Sequence, residues 1–411
     1  MKKSTMIKMA TGTAALLLMT TSAQAGYTMK KKVGDIDTKL TFFGFAQLEA
    51  VGGNGMKLKY AQDGSGVKVG TNSGSSVNFR AQRIRLGWKY VAGKIRGKVF
   101  LDFNQDHSTQ GATNGAAVPK MIKDAFIAYK FNNAFIPKLG VIKMPNGMGF
   151  TMPGWNLDIA ERGFDKALVL ERNMGLMISG RGIGFDGNRV NGFEMGHERP
   201  WKGFGYDVMI ANQANRSKAV KNTSGMGGNS YAIRAMFDYT EKLHTEISYA
   251  LSQNAGGYVA TGATSADNQD YSNVNIGIDS NLGKLSLKAE YFDASNLQGI
   301  KNWDERVFTG TAAYFVTPSL ELVTKTMQGE SQKGSSADTT KLGNTYIGFN
   351  YFLSSPYTSF SRKAKRTRNQ HKVVFNYILA SGSGATEGSA KWSGLSGYRD
   401  NAFIVQYQFK F

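Results

Sequence analysis

The chain contains no cysteine in 411 residues. Disulfides, zinc–thiolate centres and cysteine nucleophiles are thereby excluded. Proline is scarce, at 7 residues, so few positions lose the backbone N–H that a strand ladder needs. The four histidines (His107, His197, His244 and His371) are scattered, with no metal-ligand spacing. No stretch after the N-terminus approaches the ~18 consecutive apolar residues of a membrane helix. The H-E-x-x-H, G-x-S-x-G and phosphate-loop patterns are missing. Asp102 and Asp106 lack the rest of a calcium loop. No metal, no cofactor and no enzymatic activity are expected. Acids are also short: 30 against 50 bases, a formal charge of +20.

What is present begins with an address. Lys2, Lys3 and Lys8 precede a short apolar core, Ala14 to Met19, and the small-x-small site Ala23-Gln24-Ala25. This is the pattern of a secretory signal peptide over residues 1–25, and its core is too short to span a bilayer. The remainder, 26–411, reads as one domain exported through the periplasm. Its charge is 47 bases against 30 acids once the three leader lysines are removed.

Glycine (49) and aromatic residues (12%) are plentiful, and mean hydropathy is −0.32. The informative property is the arrangement. Ile95, Val99, Leu101 and Phe103 alternate with Lys94, Arg96, Lys98, Phe100 and Asp102. A period of two places the sets on opposite faces of a strand. The pattern returns in Leu243–Leu251, Ile347–Leu353 and Val373–Leu379. It predicts sixteen strands, at 38–50, 77–91, 94–104, 120–131, 135–144, 174–184, 203–213, 229–240, 242–253, 271–281, 283–294, 305–316, 318–329, 343–354, 370–380 and 401–411. Gaps after even strands are short, as at Ala92-Gly93, and gaps after odd strands are long. Short periplasmic turns and long outer loops belong to an all-β, antiparallel transmembrane barrel of the bacterial outer membrane. Two even gaps, 185–202 and 355–369, are too long for the rule and put one hairpin of the count in question. Tyr407, Phe409 and the terminal Phe411 match an insertion signal for the barrel-assembly machinery.

Strand parity selects the water-facing charges. Ile84, Leu86, Trp88 and Tyr90 form a lipid-type face, which turns Arg83, Arg85 and Lys89 inward. The next strand adds Lys94, Arg96 and Lys98. A low-dielectric pore wall carrying one sign of charge concentrates counter-ions, so these six residues are expected to form a basic track that favours small anions. The third long loop, from Pro145 to Asn173, carries Met148, Phe150, Met152, Trp155 and Leu157 and then Asp158, Glu161, Arg162, Asp165 and Lys166. So apolar a loop is expected to fold into the lumen, with Trp155, Asp158, Glu161, Arg162, Asp165 and Lys166 at a constriction. The acids would offset part of the track. The run Arg362 to Arg368 (RKAKRTR) falls in a gap rather than a wall. Export argues against a nucleic-acid partner. Lipid and lipopolysaccharide are the expected surroundings.

The expectation is therefore a passive diffusion pore. Two other classes fit the sequence less well. A barrel-embedded hydrolase would use His244, Glu246 and Ser248, which share a face at ~6–7 Å per two residues, too far apart for a proton relay. A structural or partner-binding barrel, an adhesin or a conduit subunit, would need a wide lumen.

The stretch from Asp124 to Gly180 carries DAFIAYKF, KLGVIKMPNGMGF, ERGF and LERNMGLMISG. It resembles the corresponding segment of the phosphate-selective porin O/P family, through Gly140, Lys143, Pro145, Gly147, Glu161, Arg162, Arg172, Asn173 and Gly175. The resemblance implies a 16-stranded homotrimeric pore whose third loop folds inward and whose arginines and lysines guide anions, phosphate among them. Arg83, Arg85, Arg96 and Lys98 are assigned to that ladder by strand face.

Overall fold

The computed structural model describes residues 26–53, 76–104, 121–163, 165–184, 203–212, 228–240, 242–253, 269–333, 339–353, 370–383, 397–398 and 401–411. The leader 1–25 and the run Arg362 to Arg368 lie outside the described residues. Seventeen strands follow in chain order: β1 (Tyr27–Val33), β2 (Ile36–Gly53), β3 (Ser76–Ala92), β4 (Ile95–Asp102), β5 (Ile122–Tyr129), β6 (Ile136–Lys143), β7 (Arg172–Ile183), β8 (Gly203–Asn212) and β9 (Asn229–Thr240). The second half holds β10 (Leu243–Ser252), β11 (Tyr271–Leu282), β12 (Leu285–Ser295), β13 (Trp303–Thr317), β14 (Leu320–Lys333), β15 (Thr339–Phe352), β16 (His371–Ser383) and β17 (Ala402–Lys410).

From β2 to β17 each strand pairs antiparallel with the next. β17 then pairs with β2, from Ala402 opposite Gly53 to Lys410 opposite Phe45. The result is a closed sixteen-strand barrel. Closure matters because an open edge in lipid leaves backbone groups without partners.

The two long even gaps do not upset the count. β7 pairs with β8 and β15 with β16 as direct neighbours, so no strand is missing between them. The strand that sequence patterning misses is β1. It pairs with the lower part of β2, Tyr27 opposite Phe42 through Val33 opposite Ile36. Its three consecutive lysines hide the period-two signal.

The outer face is apolar and exposed. Ile84, Leu86, Trp88, Ile127, Leu139, Ile233, Ile276, Leu322 and Ile347 all point away from the barrel. In water such a belt would be an aggregation surface; here it is the lipid-facing band. The inner face is polar and buried, with Gln47, Lys98, Asp124, Asp207, Asn275, Glu290, Asn376 and Gln408 among its members. Tight periplasmic turns use the residues that turns require. Gly93 (φ 53°) and Gly283 (φ 69°) supply the left-handed position between β3 and β4 and between β11 and β12. Thr317 Oγ1 accepts N–H bonds from Ser319 and Leu320 at 3.3 and 3.1 Å beside Pro318.

Candidate functional site

The connection from Met144 to Glu171, here L3, leaves β6 at the outer end and lies inside the barrel. Gly147 makes the entry turn at φ 83°, where a Cβ would stand 2.7 Å from the Phe292 ring. A helical turn at Met148–Thr151, a 3-10 turn at Gly154–Asn156 and another helical turn at Asp165–Leu168 follow. These pieces are too short to hold themselves, so the wall holds them.

The wall's polar side chains do this by bonding L3 backbone. Asn275 Oδ1 accepts from Met148 N at 3.2 Å, and the Glu290 carboxylate accepts from Gly149 N at 3.1 Å. Gln47 and Gln408 donate to Gly154 and Trp155 carbonyls, both at 3.1 Å. Lys372 donates to Leu157 O at 2.7 Å and Asn350 to Asp158 O at 2.9 Å. Asn376 accepts from Ala160 N at 2.9 Å, and Asn273 donates to Leu168 O at 2.8 Å. L3 is thereby anchored on β2, β10–β12 and β15–β17. Its backbone groups find partners that short turns cannot supply.

Each expected L3 residue has a definite place. Trp155 is buried in an aromatic cluster, with its ring centroid 5.2 Å from Phe45 and 6.2 Å from Phe100, so it anchors the loop. Arg162 donates to the Gly149 and Met152 carbonyls and staples one part of L3 to another. Asp158 pairs with Lys288 on β12. Glu161 pairs with Arg80 and accepts from Tyr398 Oη at 3.0 Å. Lys166 lies 3.6 Å from Glu171. Burial pushes the Glu171 carboxyl up, but Lys166, Lys123 and Arg172 together overcome it and hold it down to about 2. Burial lowers Lys166, with Glu171 opposing. The side chain of Asp165 lies outside the described residues.

The six track residues divide. Arg83 donates to Gln47 at 2.5 Å, Arg85 pairs with Asp102 at 2.8 Å and Lys98 pairs with Asp124 at 2.5 Å, all on the inner face. Lys89 stands opposite Lys98 in the β3–β4 register, with its ammonium 4.7 Å from the Phe43 ring centroid. Lys94 and Arg96 are elsewhere. Lys94 is exposed in the β3–β4 turn, and Arg96 donates to the Gly93 and Ile95 carbonyls of that turn. They belong to the periplasmic rim, apart from the other four.

Between L3 and the β3–β7 wall is a cleft of about 460 Å³ of empty space, lined by Arg85, Lys98, Lys138, Lys143, Arg172, Asp124, Phe100, Phe126 and Pro153–Trp155 among others. Five cations face one carboxylate. Asp124 holds two of them, Lys98 and Arg172, the latter at 3.0 Å. Lys143 donates to Phe150 O at 2.6 Å and so ties the loop to the basic wall. Period-two reasoning places Lys138, but the basic reading of β3 and β4 never reached β6.

Arg80 was missed for a clearer reason. The β2–β3 register slips between Gln47 and Leu48, so Gln82 is a bulge. Below it odd residues of β3 face inward, and above it even ones do. Phe79 is 84% exposed and Arg80 turns in to Glu49 and Glu161. The signal was in the sequence: Val77 and Phe79 are odd, whereas Ile84 to Tyr90 are even.

Near the periplasmic end a second network joins β7 to β10. Asp207 receives Arg181 at 2.8 and 2.9 Å and Arg234 at 2.6 Å. His244 is fully buried with Nδ1 2.5 Å from Asp238 and Nε2 3.0 Å from Glu246. Ser248 Oγ meets Gly147 N at 3.2 Å. Both imidazole nitrogens thus face carboxylates and the serine serves L3, which is no arrangement for a nucleophile and its base. Among the described residues no group of acids and histidines is placed to hold a metal ion.

The closing end of the barrel holds the C-terminal aromatics. Tyr407 and Phe409 are exposed on the outer face. Phe411 exchanges backbone bonds with Gly44, both at 3.1 Å.

A family model described as phosphate-selective porin O and P matches residues 51–387. No curated protein matches the sequence. Among solved structures, the chain is similar to Salmonella typhi OmpF in complex with daunomycin (12% identity, TM-score 0.57, 93% of this chain and 100% of that one). It is similar to an anion-selective porin from Comamonas acidovorans (13% identity, TM-score 0.55, 91% and 100%). A third is the trimer form of OmpT, an outer membrane protein of Vibrio cholerae (10% identity, TM-score 0.55, 91% and 99%).

Proposed function

Since the chain belongs to the phosphate-selective porin O and P family and forms an outer-membrane porin barrel, we propose that it is a passive pore favouring anions, with its anion path between L3 and the β3–β7 wall. The observation that carries this reading is the cleft lined by Arg85, Lys98, Lys138, Lys143 and Arg172, with Asp124 in its lining and Asp102 behind Arg85 as the acids against them. In such a low-dielectric passage, fixed cations raise the local anion concentration and lower that of cations. Arg83 and Lys89 extend the basic surface along β3 towards the ends of the cleft. Lys94 and Arg96 add positive potential at the periplasmic rim. The acids of L3 take little away from it, because Asp158 and Glu161 are each paired with a base on the wall.

Phosphate fits the donor set: arginine and lysine together offer the forked and point-charge contacts that oxyanions accept. The pore does no chemistry on what passes. A homotrimer, export behind a cleaved leader 1–25 and insertion through the C-terminal aromatics complete the proposal, with lipopolysaccharide and lipid as surroundings. A conduit or adhesin barrel needs a partner threaded through the lumen, and such a partner would have to displace L3 from its anchors.

The test is the reversal potential of the pore in planar bilayers under a tenfold KCl gradient. The expected sign is that of an anion-preferring channel, and added phosphate should reduce the chloride current. A cation-preferring reversal potential overturns the proposal.

A further inference from the structure

L3 leaves a second cleft on its other side, against β12–β14, and its chemistry differs from that of the basic one. It too holds about 460 Å³ of empty space. One wall is L3 itself, which presents Met148, Met152, Leu157 and Ile159. The other is the barrel, where Lys288, Thr311 and Lys325 stand side by side, since Lys288 is opposite Thr311 and Thr311 opposite Lys325. Neighbouring strands are ~5 Å apart, so the three polar groups form one short row. Lys288 is already engaged by Asp158. The Lys325 ammonium and the Thr311 hydroxyl have no partner among the described residues.

The geometry points to this cleft as a binding site for an amphiphilic organic acid, a compact apolar or aromatic body bearing one carboxylate. The carboxylate would take Lys325 and the Thr311 hydroxyl, a charge-assisted pair of bonds. The body would lie over the methionines and Ile159 of L3, where thioethers adapt to varied shapes and meet aromatic rings favourably. The surface is partly apolar and polar groups converge on it; of its acids, Asp158 is held by Lys288, Glu161 by Arg80, and Glu290 by the Gly149 N–H and Asn275. Inorganic phosphate suits this cleft poorly. It has no apolar surface to bury against L3, and the lining here balances three cations against the three carboxylates Asp158, Glu161 and Glu290, whereas the basic cleft sets five cations against Asp124. This inference rests on the chain being a pore, and L3 becomes a partition between two passages of different taste.

The experiment measures block of the KCl current through the full-length mature protein in planar bilayers. The probes are benzoate, acetate, benzamide and inorganic phosphate. Benzoate should block at lower concentration than acetate, which lacks the body, and than benzamide, which lacks the charge. Lys325→Gln should weaken benzoate block about tenfold, the order expected for one charge-assisted bond, and leave phosphate block unchanged. Met152→Gln should weaken benzoate block and not acetate block. Heat-modifiable migration on gels confirms that each variant forms the barrel. Equal benzoate block in wild type and in both variants would overturn the proposal. Loss of benzoate and phosphate block together in Lys325→Gln would also overturn it, because one shared path would then serve both. Failure of the anion-path reading looks different: cation preference and no phosphate block, with benzoate block intact.

Discussion

Lys98→Gln isolates the contribution of a single charge to selectivity. The basic cleft carries five cations against Asp124 and the Asp102 paired to Arg85, formally +3, and the substitution makes it +2. The barrel should survive, because Asp124 keeps its 3.0 Å bond from Arg172 and is not stranded. A permeant anion about 6 Å from the lost ammonium forfeits roughly 0.7 kcal/mol at a water-like dielectric constant of 80 and roughly 2.8 kcal/mol at 20. A wet passage lies towards the lower figure, so about 1 kcal/mol is reasonable for the anion; the cation gains a similar amount, and the anion-to-cation permeability ratio falls by about 2 kcal/mol, or roughly thirtyfold. The loss should shrink as salt rises, since the Debye length drops from about 10 Å at 0.1 M to about 3 Å at 1 M. The assay is the reversal potential at both salt levels, with Lys98→Arg as the charge-conserving control. An unchanged reversal potential at low salt in Lys98→Gln, with normal conductance, would refute the assignment of the anion path to this cleft.

Other expectations concern the loop and the seam. Trp155→Ala removes a ring buried among Phe45 and Phe100; it should cost about 3–5 kcal/mol locally, loosen L3 and give noisier single channels of larger conductance. Gly44→Ala puts a Cβ 2.6 Å from both the Arg85 carbonyl oxygen and the Phe411 ring; an overpacking cost of about 1–3 kcal/mol should lower the temperature at which the folded gel band is lost. Glu171 is held down to about 2 by Lys166, Lys123 and Arg172 against the opposing effect of burial. Its stabilising effect is therefore full above its ordinary carboxyl range and disappears as pH falls towards 2. Glu171→Gln should melt lower than wild type at pH 6, and the gap should close near pH 2; a constant gap would count against the ion pair.

Much of this architecture was legible because a barrel writes two environments into alternate residues. The ladder Ile84, Leu86, Trp88, Tyr90 gave the faces of β3, and the loop-length alternation gave the topology. Legibility failed where the period breaks. The bulge at Gln82 moved Arg80 inward, and the lysines of β1 hide its period-two signal. The loop was legible in kind and not in contacts. Its apolar content predicted entry into the lumen, yet the partners of Leu157 and Ala160 are Lys372 and Asn376, more than 200 residues away. Period and composition carry no information about such pairs. Trp155 illustrates the difference: an apolar loop residue was foreseen, and its role as an anchor in an aromatic cluster was visible only in three dimensions.

The seam between β17 and β2 has a consequence for how the protein comes into being. Gln47 and Gln408 are hydrogen-bonded across a separation of 361 residues, and Phe411 bonds to Gly44. The seam thus joins the last strand of the barrel to its first. A truncation within β17 leaves two bare strand edges, each a template for another chain. Loop closure over such a distance comes before its reward, so the β17–β2 pairing is the longest-range step in closing the barrel. Closure of the barrel is thus a single event at this seam.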